Sequence, residues 1–291
     1  MSSSPHPIPR VAAIHDLSGF GRCALAVVIP ALSALGIQVC PIPTAVLSTQ
    51  TDGFENFTFR DLTDDVYPIF SHWSSLGISM DCIYSGFLGS FEQISIVRSI
   101  FEHSPGALRV VDPVMGDDGA LYSTMSGEVG YRMRELCSMA DVITPNLTEC
   151  IYLLDRPYKA APLAAGELHR HLKDLCALGA KIAVLTGAVL QDGMLVNCAF
   201  DSVHGTFSEA RCPVLPKSYP GTGDLFTSVL TGLLVLGVPL EKALRHTTDY
   251  LAKTISLTIQ MDTPVREGVA LERTLPLLTG LAAPGSPLFL A

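Results

Sequence analysis

The chain predicts an α/β fold with a mostly parallel central sheet, and three observations carry that expectation. Short apolar runs of strand length alternate with longer segments of helical period from about residue 11 to residue 259. Glycines punctuate the pattern, with Gly36 and Gly77 closing helical segments and Gly187 closing a strand. Polar and acidic residues gather where apolar strand runs end, which is where open α/β sheets bind ligands.

Taken in order, Val11–Ile14 reads as a buried strand feeding the turn His15-Asp16-Leu17-Ser18-Gly19-Phe20-Gly21-Arg22. A helix follows over about 23–35, then a strand from Ile37 to Cys40 and a third extended piece over Thr44–Thr49. A helix spans about 62–76. From there the rhythm is regular: strand 81–85, helix 91–101, strand 108–111, helix 128–139, strand 142–144, helices 147–154 and 163–178, strand 181–186. Between Met194 and Cys212 the period shifts toward two, predicting a hairpin that turns near 201–205. A helix beginning near Gly223–Asp224 and another over 240–259 complete the pattern, and the tail after Pro264 carries only a weak one. With no internal repeat, linker or composition break, 1–291 reads as a single domain with a disordered lead over 1–10 and a weakly patterned tail over about 265–291.

Composition narrows the function. The chain is 48% hydrophobic and 16% charged, enough to bury a large core, and its net charge of −9 argues against nucleic acid or an anionic membrane as partner. None of the eight cysteines forms a CxxC pair, and the closest two are 13 apart, so neither a zinc ribbon nor a compact disulfide framework is expected. The opening residues lack a charged region followed by an apolar one, and the longest strongly apolar stretch, around 226–238, is too short to span a bilayer. The expected location is cytoplasmic.

Three stretches carry chemistry. In Tyr219-Pro220-Gly221-Thr222-Gly223-Asp224 two glycines open an apolar helix, whose first-turn N–H groups form a natural anion site. Asp224 is then either an N-cap or a base that accepts a proton from an attacking hydroxyl. Asp112-Pro-Val-Met-Gly-Asp117 places two carboxylates five apart across a turn; they either hold a magnesium ion or bond their own backbone. Asn146-Leu-Thr-Glu149 fits a helix capping box, and Glu149 could equally face a metal opposite Asp112. Gly19-Phe-Gly21 is a weak phosphate signal, lacking the third glycine of a dinucleotide fingerprint, and no Walker sequence occurs. His15 either binds substrate or is structural.

Together these stretches resemble the ribokinase-like kinases. Pro220-Gly-Thr-Gly-Asp224 is similar to that superfamily's signature. Ser85-Gly86-Phe87-Leu88-Gly89-Ser90, Asp112–Asp117 and Ile143–Glu149 resemble segments of the vitamin B6 kinases, and Thr44–Thr51 is similar to that subfamily's strand and polar turn over the pyridine ring. The resemblance runs in order from Val11 to Ile259. It implies a Rossmann-like three-layer sandwich in which ATP phosphorylates the 5′-hydroxymethyl group of pyridoxal, pyridoxine or pyridoxamine. Asp224 would be the base, and the Gly221, Thr222 and Gly223 backbone the anion hole. Asp112, Asp117 and Glu149 would lie near Mg²⁺. Asp112, Asn146, Thr144, Glu149, Thr186 and Thr222 would line the ATP side, and Asp16, Ser18, Thr51 and Phe87 the ring. The resemblance also implies a homodimer and leaves open a monovalent cation such as K⁺.

Three positions depart from the subfamily pattern. Gln50 stands where a histidine is frequent and Phe87 where a tyrosine is frequent. The Asp16–Gly21 turn is closer to the hydroxymethylpyrimidine kinases of thiamine synthesis, which supply the alternative activity. A catalytically silent B6-binding protein is the other, and an NAD-dependent oxidoreductase lacks its fingerprint here.

Overall fold

The computed structural model describes residues 6–122, 127–159 and 162–282. The first five residues of the expected disordered lead and the last nine of the expected weak tail lie outside these.

The parallel part of the sheet is built from β1 (Arg10–Ser18), β2 (Gln38–Leu47), β4 (Cys82–Ser85), β5 (Leu108–Val111), β8 (Val142–Ile143) and β9 (Ile182–Val189). β3 (Phe59–Asp61) pairs antiparallel to β2 at one edge. The hairpin β10 (Met194–Asp201) and β11 (Thr206–Pro213) extends the other edge antiparallel to β9. The order across the nine strands is β11-β10-β9-β8-β5-β4-β1-β2-β3. A separate two-stranded ribbon, β6 (Gly116–Asp117) with β7 (Ala120–Leu121), stands beyond β5.

Successive strand residues point to opposite faces, so each strand feeds two cores. Ala12, Ile14, Ile83, Val111 and Ile143 join one core, with Val97 of α3 (Phe91–Glu102), Leu136 of α4 (Gly127–Ser138), Leu153 of α5 (Leu147–Leu153) and Leu172 of α6 (Ala165–Ala177). Val66 and Phe70 of α2 (Thr63–Ser75) complete it. Val11, Ala13, Tyr84, Val110 and Val142 join the other, with Val28 of α1 (Leu25–Ala34), Val229 of α7 (Thr222–Val235), Leu244 of α8 (Leu240–Met261) and Leu278 of α9 (Leu275–Ala282). The result is the expected three-layer sandwich.

Some sequence expectations change. The pieces over Ile37–Cys40 and Thr44–Thr49 are one strand, β2, running through Pro41 and Pro43. Proline fits here because β3 covers only Ala45–Leu47, and among the described residues no strand pairs with the outer edge opposite 41–43. β1 continues to Ser18 rather than ending at Ile14, so His15, Asp16 and Ser18 are strand residues. β9 likewise runs through Gly187, whose φ of 65° is accommodated at a register shift against β10. In the described part of the weakly patterned tail, Val269, Ala270, Leu271 and Leu278 are buried.

The order in which strands join the sheet reverses at β1, with β2 added on one side of it and β4 on the other. The helix after β1 packs on one face and the helix after β4 on the other, so the loops leaving these adjacent strands diverge. That divergence opens a crevice at the carboxyl end of the sheet.

Candidate active site

Asp224 occupies the first turn of α7, and it does not cap its own helix. The N-cap is Gly221, in the left-handed region at φ 76°, and it offers no side-chain acceptor to the first-turn N–H groups. A Cβ on Gly221 would lie 1.9 Å from the carbonyl oxygen of Arg22, so only glycine lets this turn sit against the loop after β1. Gly223 has open space where its Cβ would be. Thr222 donates its hydroxyl to Tyr219 O at 2.9 Å, bracing the turn from below.

Asp224 points across to that same loop, where its Oδ2 accepts the Ala24 N–H at 2.8 Å. Ala24 adopts φ 46°, which is unusual for a residue with a side chain and is held here by the contact. Burial pushes the Asp224 carboxyl up to about 7; the Ala24 hydrogen bond opposes the rise and the Asp16 carboxylate adds to it. Asp16 is itself raised to about 6 by burial, although it accepts the Ser18 hydroxyl at 3.1 Å. Asp16 and Ser18 thus lie at the β1 end beside Asp224.

Asp112, at the end of β5, is buried and accepts the Thr227 hydroxyl at 3.2 Å. Thr227 also reaches Thr144 at 2.9 Å, so Thr144 lies beneath the carboxylates as a buried support. Burial and then the Asp224 charge push Asp112 up to about 8. Glu149 is also buried, and each of its oxygens accepts a backbone N–H: Met115 at 3.1 Å and Asn146 at 2.9 Å. Asn146 completes the capping box through the Glu149 N–H and donates its amide to Gly116 O at 2.9 Å. The box therefore clamps the 112–117 loop onto α5. Burial, then Asp112, holds the Glu149 carboxyl well above its usual range. Asp117 lies exposed on the β6–β7 ribbon, where it accepts the Asp118 N–H at 2.9 Å. Asp112, Asp117 and Glu149 do not converge to within three-point ligation distance of one another. Thr186 sits on the neighbouring strand end, bridged to Asn146 and only weakly donating to Pro145 O at 3.5 Å.

Among the described residues, the charged groups that shift Asp112, Asp224 and Glu149 are other carboxylates. An all-oxygen donor set of neighbouring carboxylates suits a hard divalent ion. Magnesium in particular is held by one or two carboxylates plus waters and substrate phosphates, so the separation of the three acids is compatible with it.

The ring-side residues are held differently. Phe87 is half-buried and its carbonyl accepts the Thr44 hydroxyl at 3.3 Å. Thr51 is exposed on the loop after β2, while Gln50 turns inward. Gln50 Nε2 donates to Asp52 O and, at 2.9 Å, to Arg266 O, and its Oε1 accepts the Asp52 N–H at 2.8 Å. Phe54 packs edge-on against Phe20, with ring centroids 5.8 Å apart, beneath the Arg266 guanidinium at 5.0 Å. Gly19 and Gly21 serve this packing: Cβ atoms there would meet Ser48 O at 3.1 Å and Gln50 Cγ at 2.5 Å. These glycines allow the turn to pack closely against the loop after β2. His15 is sealed beneath Gly86, with neither ring nitrogen hydrogen-bonded, and burial lowers it to about 3.

Two residues escaped the sequence reading. Tyr122, just past the ribbon, feels Glu149, Asp117, Asp224 and Asp112, and burial followed by their charges drives its phenol up. Arg266, in the weakly patterned tail, fastens the Gln50 loop. Neither position stands in a local motif.

The phosphomethylpyrimidine kinase family profile matches residues 29–267. A phosphomethylpyrimidine-kinase-type protein of Bacteroides thetaiotaomicron VPI-5482, solved with pyridoxal, is 44% identical over 93% of this chain and 96% of its own, with a TM-score of 0.88. Pyridoxal kinase from Lactobacillus plantarum is 33% identical over 94% of this chain and 97% of its own, with a TM-score of 0.86. Pyridoxal kinase PdxY of Vibrio campbellii is 26% identical over 86% of this chain and 88% of its own.

Proposed function

This chain belongs to the phosphomethylpyrimidine kinase family, and from that premise we propose that it transfers the γ-phosphoryl group of ATP to the 5′-hydroxymethyl group of pyridoxal and related B6 vitamers. The observation that carries this reading is a raised, half-buried carboxylate, Asp224, in the first turn of a helix whose N-terminus has no side-chain cap. A base and an anion site in one turn are what an alcohol kinase needs.

The substrate hydroxyl donates to Asp224, which takes its proton as the oxygen attacks phosphorus. The Ala24 N–H keeps the carboxylate aimed across the crevice. Backbone N–H groups of Gly221, Thr222 and Gly223 face the charge spread over the transferred phosphoryl oxygens. Asp112 and Glu149, with Asp117 at the rim, would hold Mg²⁺, which neutralises charge on the nucleotide phosphates when bound. Asn146, Thr144, Thr186 and Thr222 support the nucleotide side. Asp16, Ser18, Thr51 and Phe87 surround the ring. We further assign to this reading a cytoplasmic homodimer and leave a K⁺ requirement to titration. Among the described residues no helix is long and apolar enough to cross a membrane.

The pyrimidine alternative rests on the family's description and on the Asp16–Gly21 turn. The pyridoxal complex of the B. thetaiotaomicron relative favours the pyridine. Steady-state kinetics with pyridoxal and with hydroxymethylpyrimidine at fixed Mg-ATP decide between them. The expected result is a kcat/KM higher for pyridoxal, and a clear preference for the pyrimidine overturns the assignment. Turnover of neither alcohol favours the silent binding protein.

A further inference from the structure

Away from the crevice, three side chains of different chemistry meet on the face shared by α6 and the β10–β11 hairpin. They are His169 of α6, Cys198 of β10 and Glu209 of β11. Cys198 and Glu209 are direct cross-strand partners, so both project to the same face. The His169 Nε2 lies 3.0 Å from Glu209 Oε1, and the Cys198 Sγ lies 4.0 Å from the same oxygen. One ligand atom from each falls within 4.8 Å of the other two.

We propose that His169, Cys198 and Glu209 form a binding site for a borderline divalent cation of the zinc class. A tetrahedral ion with bonds of about 2.0–2.3 Å to nitrogen, oxygen and sulfur has ligand-to-ligand edges of roughly 3.3–3.6 Å. The 3.0 and 4.0 Å separations bracket that range, so small side-chain shifts close the site. The orientation of each ligand is already set. His169 stacks on Phe207 with centroids 4.1 Å apart and planes 22° off parallel. Arg211 holds the other Glu209 oxygen, Oε2, at 2.8 Å and leaves Oε1 turned toward the triad. Such outer partners are what fix ligand geometry in metal sites. Nitrogen with thiolate sulfur selects zinc-class ions over Mg²⁺, which separates this site from the all-oxygen crevice. On binding, the Cys198 S–H bond breaks, its proton passes to solvent and a sulfur–metal bond forms, while His169 gives up the Nε2 hydrogen that faces Glu209 Oε1 and ligates as the neutral Nδ1–H tautomer. Thiolate and carboxylate together balance the ion's two charges. Cys198 is buried whereas His169 and Glu209 reach solvent, so the ion enters from outside and its fourth position faces water. Occupancy would staple the edge hairpin to α6.

Cobalt(II) titration of the purified protein tests this, because a cobalt–thiolate bond adds a charge-transfer band that carboxylate sites lack. The expected result is a band saturating at one ion per chain, displaced by Zn²⁺ and accompanied by a higher Tm. Cys198→Ala should abolish the band and His169→Ala should weaken it at least about tenfold, the scale of losing a site's supporting contacts. Cys23, whose thiol lies near Asp16 and Asp224, is the competing sulfur, so Cys23→Ser must keep the band. No band at stoichiometric cobalt overturns the proposal. A band lost in Cys23→Ser and kept in Cys198→Ala also overturns it. Circular dichroism checks each variant's fold; should Cys198→Ala not fold, the solvent-reaching His169→Ala decides alone.

Discussion

The two ends of the crevice are built by opposite means. At the proposed phosphoryl end, Asp112 and Glu149 are buried, Asp224 is half-buried, and all three are gripped by fixed donors: two backbone N–H groups on Glu149, the Thr227 hydroxyl on Asp112 and the Ala24 N–H on Asp224. At the ring end, Thr51 is exposed, Phe87 half-buried, and the loop is tied down mainly through Gln50 and Arg266. On the proposed assignment, the chemistry common to many alcohols sits in the rigid layer, while selection of one ring is shared between the buried strand residues Asp16 and Ser18 and the loop that carries Thr51. Electrostatic catalysis gains from dipoles that do not reorganise, whereas fitting a ring needs a surface that closes after entry.

If that division holds, changes at the first end act on kcat and changes at the second on KM. Asp224→Asn is the largest expected effect, a fall in kcat of about 10²–10⁴-fold with pyridoxal binding retained, read by steady-state kinetics and ligand fluorescence. Unchanged turnover would remove Asp224 as the base. Gly221→Ala comes next. Its Cβ would meet the Arg22 carbonyl and its φ is unfavourable for alanine, so thermal unfolding should show a loss of about 1–3 kcal/mol together with a lower kcat. Gln50→Ala frees the ring-side loop, and KM for the vitamer should rise roughly tenfold with kcat unchanged, the scale of one or two lost hydrogen bonds. A fall in kcat alone would collapse the distinction between the ends.

The smallest effect is in the pH profile. A carboxylate base works only when ionised, and Asp224 is raised to about 7. The acid limb of kcat/KM should therefore lie near pH 7, with activity lost as pH falls below it, rather than near pH 4 as for an exposed aspartate. Asp16 contributes to that rise, so Asp16→Asn should move the limb downward by less than about one pH unit.

The layers of the sandwich were legible because period and glycine punctuation are local. β2 was not, because Pro41 and Pro43 read as breaks and only the sheet reveals that they lie at an edge. β3 and the β6–β7 ribbon are three and two residues per strand, too short to display any period. In the candidate site, strand-end position picks out Asp112 and Asn146, and the first turn of a helix picks out Glu149 and Asp224. The pairings that hold the crevice together link residues 24 with 224 and 50 with 266, and no local pattern encodes contacts 200 and 216 positions apart.

The same two prolines have a consequence in the crowded state before and after folding. An open sheet edge is a template on which a second chain can zip, and the first half of β2 is such an edge. Without N–H groups at 41 and 43, it offers an incoming strand an interrupted row of donors. Replacing both with valine would restore that row and make this rim, rather than the crevice, the place where the protein begins to aggregate.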